Sequence, residues 1–475
     1  MTPPVTAEPV HAFTDDALGT HDAVGLAAAI RAGEVGRREV LEAAIARVQR
    51  VNPILNAVRV DCFDRARQAP ATFGAFAGVP SFVKDNADVA GLPTCHGSAA
   101  FDPRPRRRDS APAAQFLRQG FVVLGKSTLP EFGLTASTEF ADRDPTRNPW
   151  NTAHSVGASS GGSAALVASG AVPIAHANDG GGSIRIPAAA AGLVGLKPTR
   201  CRMLDQPGAR QLPVNLVTEG VVSRTVRDVA HYFAAAERYR PAAKLPPIGL
   251  VEGPSARRLR IGIVRADVRG HGVHPDTAAV LDSAATELTA LGHELTEVRL
   301  DIDPQFIDDF KTYWALFAVL MTTSFALEHG RRFHPSRIDP FTRGLIGRIR
   351  GNPLAVLPAI RRLRRGTAIY DAHFTEVDAL LSPVLSHPVP VLGEQSPRQP
   401  FDELFAKLID YVGFTPLNNI GGGPAIAVPH GRMSGNLPGS IQLSAARGDE
   451  ATLLDLAYQL ETTCGFPAIT ESGAG

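Results

Sequence analysis

Three short stretches hold residues whose types could do covalent chemistry. A lysine closes the apolar run "AGVPSFVKDNADV", two serines sit inside "GASSGGS", and a serine follows three glycines in "NDGGGSIR". Consecutive Gly180, Gly181 and Gly182 are costly to order, because glycine loses the most backbone freedom on folding. A bland explanation is a flexible surface loop. The chemical one is close backbone approach: the amides of Gly180, Gly181, Gly182 and Ser183 can point at the oxygen that becomes negative when an acyl carbon is attacked. One donor of such a preorganised oxyanion hole is worth roughly 3 kcal/mol.

A nucleophilic serine hydroxyl needs a base. The nearest histidines in sequence, His154 and His176, have no recognisable acidic partner, and His176 in its apolar strand reads as a packed core residue. Lys84 is the other option. It ends a run that should be buried, and desolvation lowers a lysine pKa until the neutral amine can accept a proton. Its plain reading is a salt bridge at a strand end.

Spacing ties the serines together. Residues 161–170 suit a helix of about 15 Å, and residues 172–177 a strand of about 20 Å. A strand running back beside that helix returns Ser183 to Ser159, so that Gly161, Gly162 and the triple glycine border one pocket. "SIRIPAAAAG" is expected to begin a helix at Ser183 whose dipole adds to the same field.

Two further motifs are decoys. "GFVVLGKS" (120–127) satisfies G-x-x-x-x-G-K-S, but Phe-Val-Val-Leu reads as a strand rather than as a phosphate-wrapping loop. "GASSG" (157–161) satisfies G-x-S-x-G, but a Pro/Asn-rich loop precedes it where a nucleophile elbow needs a strand.

The elements that must position these residues alternate along the chain. Residues 22–50 carry two amphipathic helices, with Asp22 as N-cap and Gly33 and Gly36 as punctuation. Short apolar runs at 120–125, 171–177 and 192–197 alternate with helical stretches, which points to an α/β sheet with helices on its faces. A Pro/Gly-rich connection at 241–257 leads to a strand, a long helix and another strand. Residues 305–375 read as a helical insertion or cap, and the α/β pattern then resumes in "VDALLSP", "GPAIAVPH", "GSIQLSA" and a closing helix. The organisation expected is one domain over 1–475.

Bulk properties narrow the function. Lys+Arg 48 against Asp+Glu 47 gives a net charge of +1, so nothing draws the chain to nucleic acid or to an anionic membrane. The run "RRLRRG" (361–366) reads as a solvated helix face. Cys62, Cys95, Cys201 and Cys464 lie far apart, without the spacing of a zinc site or a disulfide framework. "MTPPVTAEPVHAF" has neither a basic n-region nor an apolar h-region, and the longest mostly apolar stretch (164–177) is too short to span a membrane. The expectation is a cytoplasmic protein with no metal and no cofactor.

Together these motifs resemble the amidase signature family. "G-x-P-x-x-x-K-D" is matched by Gly78, Pro80, Lys84 and Asp85, the glycine–serine segment by "GASSGGS", and "D-x-G-G-S-I-R-x-P-A" by Asp179 to Ala188. The 24-residue interval from Ser159 to Ser183 also agrees. "GKSTLPEFG", "NPWN", "GLVGLKPT", "DALLSP" and "DEATLLDLA" extend the resemblance from about residue 20 to 465, most strongly over the signature core at 76–226. It implies an α/β amidase-signature fold, a large mixed β-sheet flanked by helices on both faces. Ser183 would be the nucleophile, Ser159 a bridging serine held by a cis peptide bond, and Lys84 the base. The oxyanion would rest on the amides of residues 180–183. Asp179 and Arg185 would brace the loop, while Ser160 and Ser163 would bond at a helix start.

Two departures stand out. The family often has Thr or Ile at Gly180, and "GNLPGSIQL" replaces the more usual "DGLPVGLQL". "DGGGSIRIPA" is most similar to actinobacterial amidases and 6-aminohexanoate-cyclic-dimer hydrolases, which favours small non-peptide amides. Ester or carbamate (urethane) cleavage as the main activity, a glutamine-amidotransferase-type subunit acting with a partner chain, and a silent binding protein stay as alternatives. Substrate lining is expected from 127–133, including Phe132, from 203–220, and from the helical segment around Tyr313, Trp314 and Phe317. Core packing is the competing account of those aromatics. Relatives are frequently homodimers.

Overall fold

The computed structural model describes residues 8–206 and 208–470. Residues 1–7, read above for a leader, and Pro207 within the 203–220 loop lie outside them.

Two sheets carry the architecture. The smaller contains β1 (Val58–Asp61), β2 (Pro80–Lys84) and β3 (Val122–Ser127), in the order β1-β3-β2. The larger contains β4 (Ile174–Asp179), β5 (Val194–Lys197), β6 (Thr218–Ser223), β7 (Arg260–Ile263), β8 (Glu294–Glu297), β9 (Ala379–Pro383), β10 (Ala425–Met433) and β11 (Leu437–Ala445). Its order is β4-β6-β5-β10-β11-β9-β7-β8. It is mixed: β7 runs parallel to β8 and β9, and the remaining pairs are antiparallel. Strands β4, β5, β6, β9 and β11 are buried throughout, as strands covered on both faces are.

Local signals set the first elements. Asp22 caps the helix Ala23–Ala32 by accepting from the Gly25 amide, and Gly33 ends it with φ 75°, the left-handed turn that glycine adopts without penalty. The lysine of the P-loop-like motif falls inside β3 and is completely buried, so that segment is a strand. No strand precedes "GASSG" either.

Residues 306–372 form a run of helices opened by the helix Phe306–His329. That helix, extended to Arg332, exceeds the apolar stretch at 164–177 and is long and apolar enough by composition to cross a membrane. Its apolarity has a local cause: one side lies against the core and over the glycine run described below. Within "RRLRRG", Arg362 is not merely solvated. It holds Asp309 of this helix at 2.6 Å. None of the four cysteines forms a disulfide.

Candidate active site

The two sheets meet where β2 and β4 lie side by side. Ser81 Oγ donates to Ile174 O at 2.8 Å, and at the strand ends Lys84 Nζ donates to Asn178 Oδ1 at 2.7 Å. Lys84 Nζ also donates to Ser159 Oγ at 2.8 Å. The side chain is fully buried, and no carboxylate pairs with it among the described residues. Burial pushes its pKa down to about 7, although the negative charges of Glu219 and Asp179 oppose the shift. The plain salt-bridge reading belongs to Lys126 instead, which pairs with Asp85 at 3.2 Å.

Ser159 follows a cis peptide bond from Ala158, and Gly157 before it has φ 72°. The 127–133 loop presses on its hydroxyl: a Cβ on Gly133 would stand 2.8 Å from Ser159 Oγ. The helix Gly161–Ala168 then begins, with β4 running back beside it. Ser163 Oγ donates to His176 O at 2.7 Å. Ser160 Oγ donates to Ser183 O at 2.6 Å, and the Ser160 amide reaches the same oxygen at 3.3 Å. These serines therefore tie the helix to the strand and to Ser183 rather than capping the helix. Ser160 occupies the N-cap position with φ −91° and ψ 38° and makes no side-chain cap bond. The helix expected at Ser183 begins at Arg185.

The glycine run is anchored from below. Asp179 holds the Arg185 guanidinium at 3.0 Å on both oxygens, and Arg185 reaches Asn418, Asn419 and Gln442. Burial pushes the Asp179 carboxyl up, but the Arg185 and Lys197 charges and the Asn419 hydrogen bond hold it below the usual carboxylate range. Asp179 Oδ1 also accepts the Gly182 amide at 2.7 Å. That corrects the expected set of oxyanion donors, since Gly182 is already engaged. The amides of Gly180, Gly181 and Ser183 have no protein acceptor among the described residues, and neither has the Ser183 hydroxyl.

Trp314 lies over this run. A Cβ on Gly181 would be 3.5 Å from the indole and 3.6 Å from the Phe310 ring. Trp314 is fixed by its Nε1–H, which donates to Leu134 O at 3.0 Å. It stacks with Phe310 at 5.6 Å and tilts against Phe317 at 5.9 Å. Phe132, with φ 52°, packs beside Phe101 and Phe325 one residue before Gly133. Tyr313 points into the core, where its hydroxyl donates to Val214 O. His154 bridges Val391 through its backbone. Two cavities elsewhere, one beside His387 and Pro438 and one beside Glu131 and Asp339, include none of Lys84, Ser159 or Ser183. Among the described residues no group of three or more His, Cys, Asp or Glu could hold a metal ion.

Several neighbours escaped the sequence reading. Asn178 is the second partner of Lys84, Phe310 shares the cover over Gly181, and Thr415 Oγ1 donates to Gly181 O at 2.6 Å. His176, assigned no acidic partner, has a carboxylate beside it: Glu219 Oε2 lies 3.1 Å from its Nε2, without hydrogen-bond geometry. Strand alternation carried a signal for this arrangement, because His176 and Asn178 are two residues apart on β4 and share a face.

Known proteins resemble this chain over nearly its whole length. The Amidase family profile matches residues 39–454. AmiC of Mycobacterium tuberculosis (strain ATCC 25618 / H37Rv) is 46% identical over 461 residues, covering 95% of this chain and 96% of AmiC. The 6-aminohexanoate-cyclic-dimer hydrolase of Paenarthrobacter ureafaciens is 33% identical, covering 93% of this chain and 94% of that one. A solved 6-aminohexanoate cyclic dimer hydrolase complexed with substrate superposes with a TM-score of 0.87 at 31% identity, covering 95% of this chain and 98% of that chain.

Proposed function

The chain belongs to the amidase signature family, hydrolases of amide and related C–N bonds, and on that footing we propose that it acts alone on small, uncharged, non-peptide amides through an acyl-enzyme on Ser183. The observation that carries this reading is the completely buried Lys84 amine, 2.8 Å from the hydroxyl of Ser159, beside a serine flanked by open backbone amides. A buried amine of pKa about 7 is partly neutral near neutral pH and can accept a proton, which an ordinary lysine does poorly there.

In this scheme Ser183 Oγ attacks the acyl carbon. Its proton passes to Ser159 while the Ser159 proton passes to neutral Lys84. The carbonyl oxygen, now carrying the electron pair of the broken π bond, is held by the open amides among residues 180, 181 and 183. Collapse expels the amine, which takes its proton from Lys84 through Ser159. Water then repeats the sequence, releasing the acid and restoring Ser183. Esters and carbamates pass through the same tetrahedral oxyanion, so the machinery extends to them. The aromatic cover of Phe310, Trp314 and Phe317 supports an apolar acyl group, in keeping with relatives named for a cyclic amide.

The test uses the purified chain alone, without glutamine, ATP or metal, on matched nitroanilide, nitrophenyl ester and nitrophenyl carbamate substrates. Turnover absent in Ser183→Ala and strongly reduced in Ser159→Ala and Lys84→Ala is expected. Full activity of Ser183→Ala with an acyl group trapped on Ser159 would overturn the assignment of the nucleophile.

A further inference from the structure

Lys84 sits at the end of a buried polar chain that the reaction scheme does not use. Asn178 Oδ1 accepts from Lys84 Nζ at 2.7 Å. The other end of the Asn178 carboxamide is held by two acceptors, Asn86 Oδ1 at 3.2 Å and Glu219 Oε1 at 3.5 Å. Asn86 returns a hydrogen bond to Asn178 Oδ1 at 3.2 Å. Glu219 stands directly opposite Asn178 in the β4–β6 ladder, and its second oxygen lies 3.1 Å from His176 Nε2. Lys84, Asn178, Glu219 and His176 are all buried.

Two consequences follow from this order. A carboxamide presents either its oxygen or its NH₂ group to a neighbour, and only its hydrogen-bond partners decide which. The Glu219 carboxylate accepts and does not donate when ionised, so it draws the Asn178 NH₂ towards itself and leaves the oxygen facing Lys84. The same carboxylate is a negative charge close enough to favour the ammonium form of Lys84. The other charged or titratable groups around Lys84 are committed elsewhere. Asp179 faces Arg185, Asp85 faces Lys126, and Tyr232 lies on the far side near Glu219.

We propose that Glu219, packed against His176 and acting through the Asn178 carboxamide, is a positioning residue that orients Lys84 and sets how readily it takes up a proton. This rests on Lys84 being the base. Ion pairs inside proteins are often only structural, so the test must read protonation of Lys84 rather than stability.

The experiment compares the pH dependence of kcat/KM on a nitrophenyl ester for the wild type, Glu219→Gln and Asn178→Asp, with Lys84→Ala as reference. The base works in its neutral form, so activity falls on the acid side of its pKa. Removing the Glu219 charge favours the neutral amine, and the acid limb should move to lower pH by on the order of one unit. Asn178→Asp places a carboxylate on the amine, and its limb should move to higher pH. Opposite displacements support the proposal, because general structural damage does not shift the limb in opposite senses. Limbs that coincide with the wild type, while Lys84→Ala is inactive, overturn it and leave the reaction scheme intact. If Lys84→Ala keeps an active enzyme with the same limb, the assignment of the base fails and this inference fails with it. Should Glu219→Gln not fold, Glu219→Met is read in its place, and an unmoved limb in that variant overturns the proposal.

Discussion

The three consecutive glycines are required for different reasons, and alanine substitutions separate them. Gly182 has φ 127°, and a Cβ there would stand 2.4 Å from Thr415 Oγ1 and 2.6 Å from the end of the Ile186 side chain. Overpacking of this kind costs about 1–3 kcal/mol, and the disfavoured backbone region adds a similar amount. For a chain of 475 residues the unfolding entropy is about 1 kcal/mol/K, so a loss of ~3–4 kcal/mol lowers Tm by about 3–4 °C. Gly182→Ala should also shift the open amides, and losing one oxyanion donor costs about 100-fold or more in kcat. Gly181 differs. It lies outside the left-handed region, and the atoms nearest its added Cβ are on the rings of Trp314 and Phe310, at 3.5 and 3.6 Å, which is ordinary contact. Gly181→Ala should melt within about 1 °C of the wild type, while its methyl group occupies the space between the amides and the indole. Its kcat/KM should therefore fall most for substrates bulky beside the carbonyl. Differential scanning fluorimetry paired with kinetics on acetyl and benzoyl nitrophenyl esters makes the comparison. Equal loss of Tm in both variants, or wild-type activity in Gly182→Ala, would refute this division of roles.

Other perturbations act on the same machinery. The acid limb of kcat/KM should lie near pH 7, set by Lys84. At pH 7 an unshifted lysine would be neutral in only about one molecule in several thousand, and a limb in the carboxylate range would remove Lys84 as the base. Trp314→Ala should raise KM by about tenfold for aryl substrates and leave acetyl esters nearly unchanged, since an aromatic contact contributes about 0.5–1.5 kcal/mol beyond its buried area; equal losses on both would argue for a purely structural ring. Arg185→Met leaves the buried Asp179 carboxylate unpaired, at a cost of about 3–5 kcal/mol, seen as a lower Tm at pH 7. Because the Asp179 pKa is depressed in the fold, its stabilisation is complete above about pH 4 and is lost as pH falls through the folded value. The Tm gap between Arg185→Met and the wild type should therefore narrow on acidification, and a gap independent of pH would show that charge pairing is not its cause.

How much of this was legible depended on whether the information was local. Caps, strand runs and the glycine–serine segments are written in short windows, so the helix Ala23–Ala32, the core strands and the Gly161–Ala168 helix lie close to where periodicity placed them. The return of Ser183 to the start of the Gly161–Ala168 helix, where Ser160 bonds its carbonyl, followed from two lengths and a reversal of direction. The carboxylate beside His176 was not readable, because Glu219 is 43 residues further along and is paired to β4 only through sheet register. The same holds for Thr415 and Asn419, which reach the glycine run from a distant part of the chain. Engagement of the Gly182 amide was also hidden: the sequence offers four amides in a row, but the carboxylate at Asp179 takes one of them.

The neighbouring Lys84 and Asp85 look in sequence like a ready ion pair, and such a pair would keep the amine charged and useless as a base. The fold separates them. Lys84 closes β2 with its amine towards Asn178 and Ser159, while Asp85 turns to Lys126 on β3 and to the amide of Cys95. The adjacent side chains diverge where β2 ends at Lys84 and the chain turns at Asp85. Lys126 thus has a structural task, supplying the countercharge for a buried carboxylate that burial pushes upward in pKa. Three lysines are fully buried here, Lys84, Lys126 and Lys197. Lys126 faces a carboxylate, and Lys197 donates to the carbonyls of Pro198 and Gly423. Lys84 has a hydroxyl with which to exchange a proton and, over it, a run of open amides. Burial depresses Lys197 to about 7 as well, so a shifted pKa does not by itself distinguish a base. What distinguishes Lys84 from Lys197 is the Ser159 hydroxyl at hydrogen-bond distance, and from Lys126, which also reaches the Thr94 hydroxyl, that no carboxylate pairs with it among the described residues.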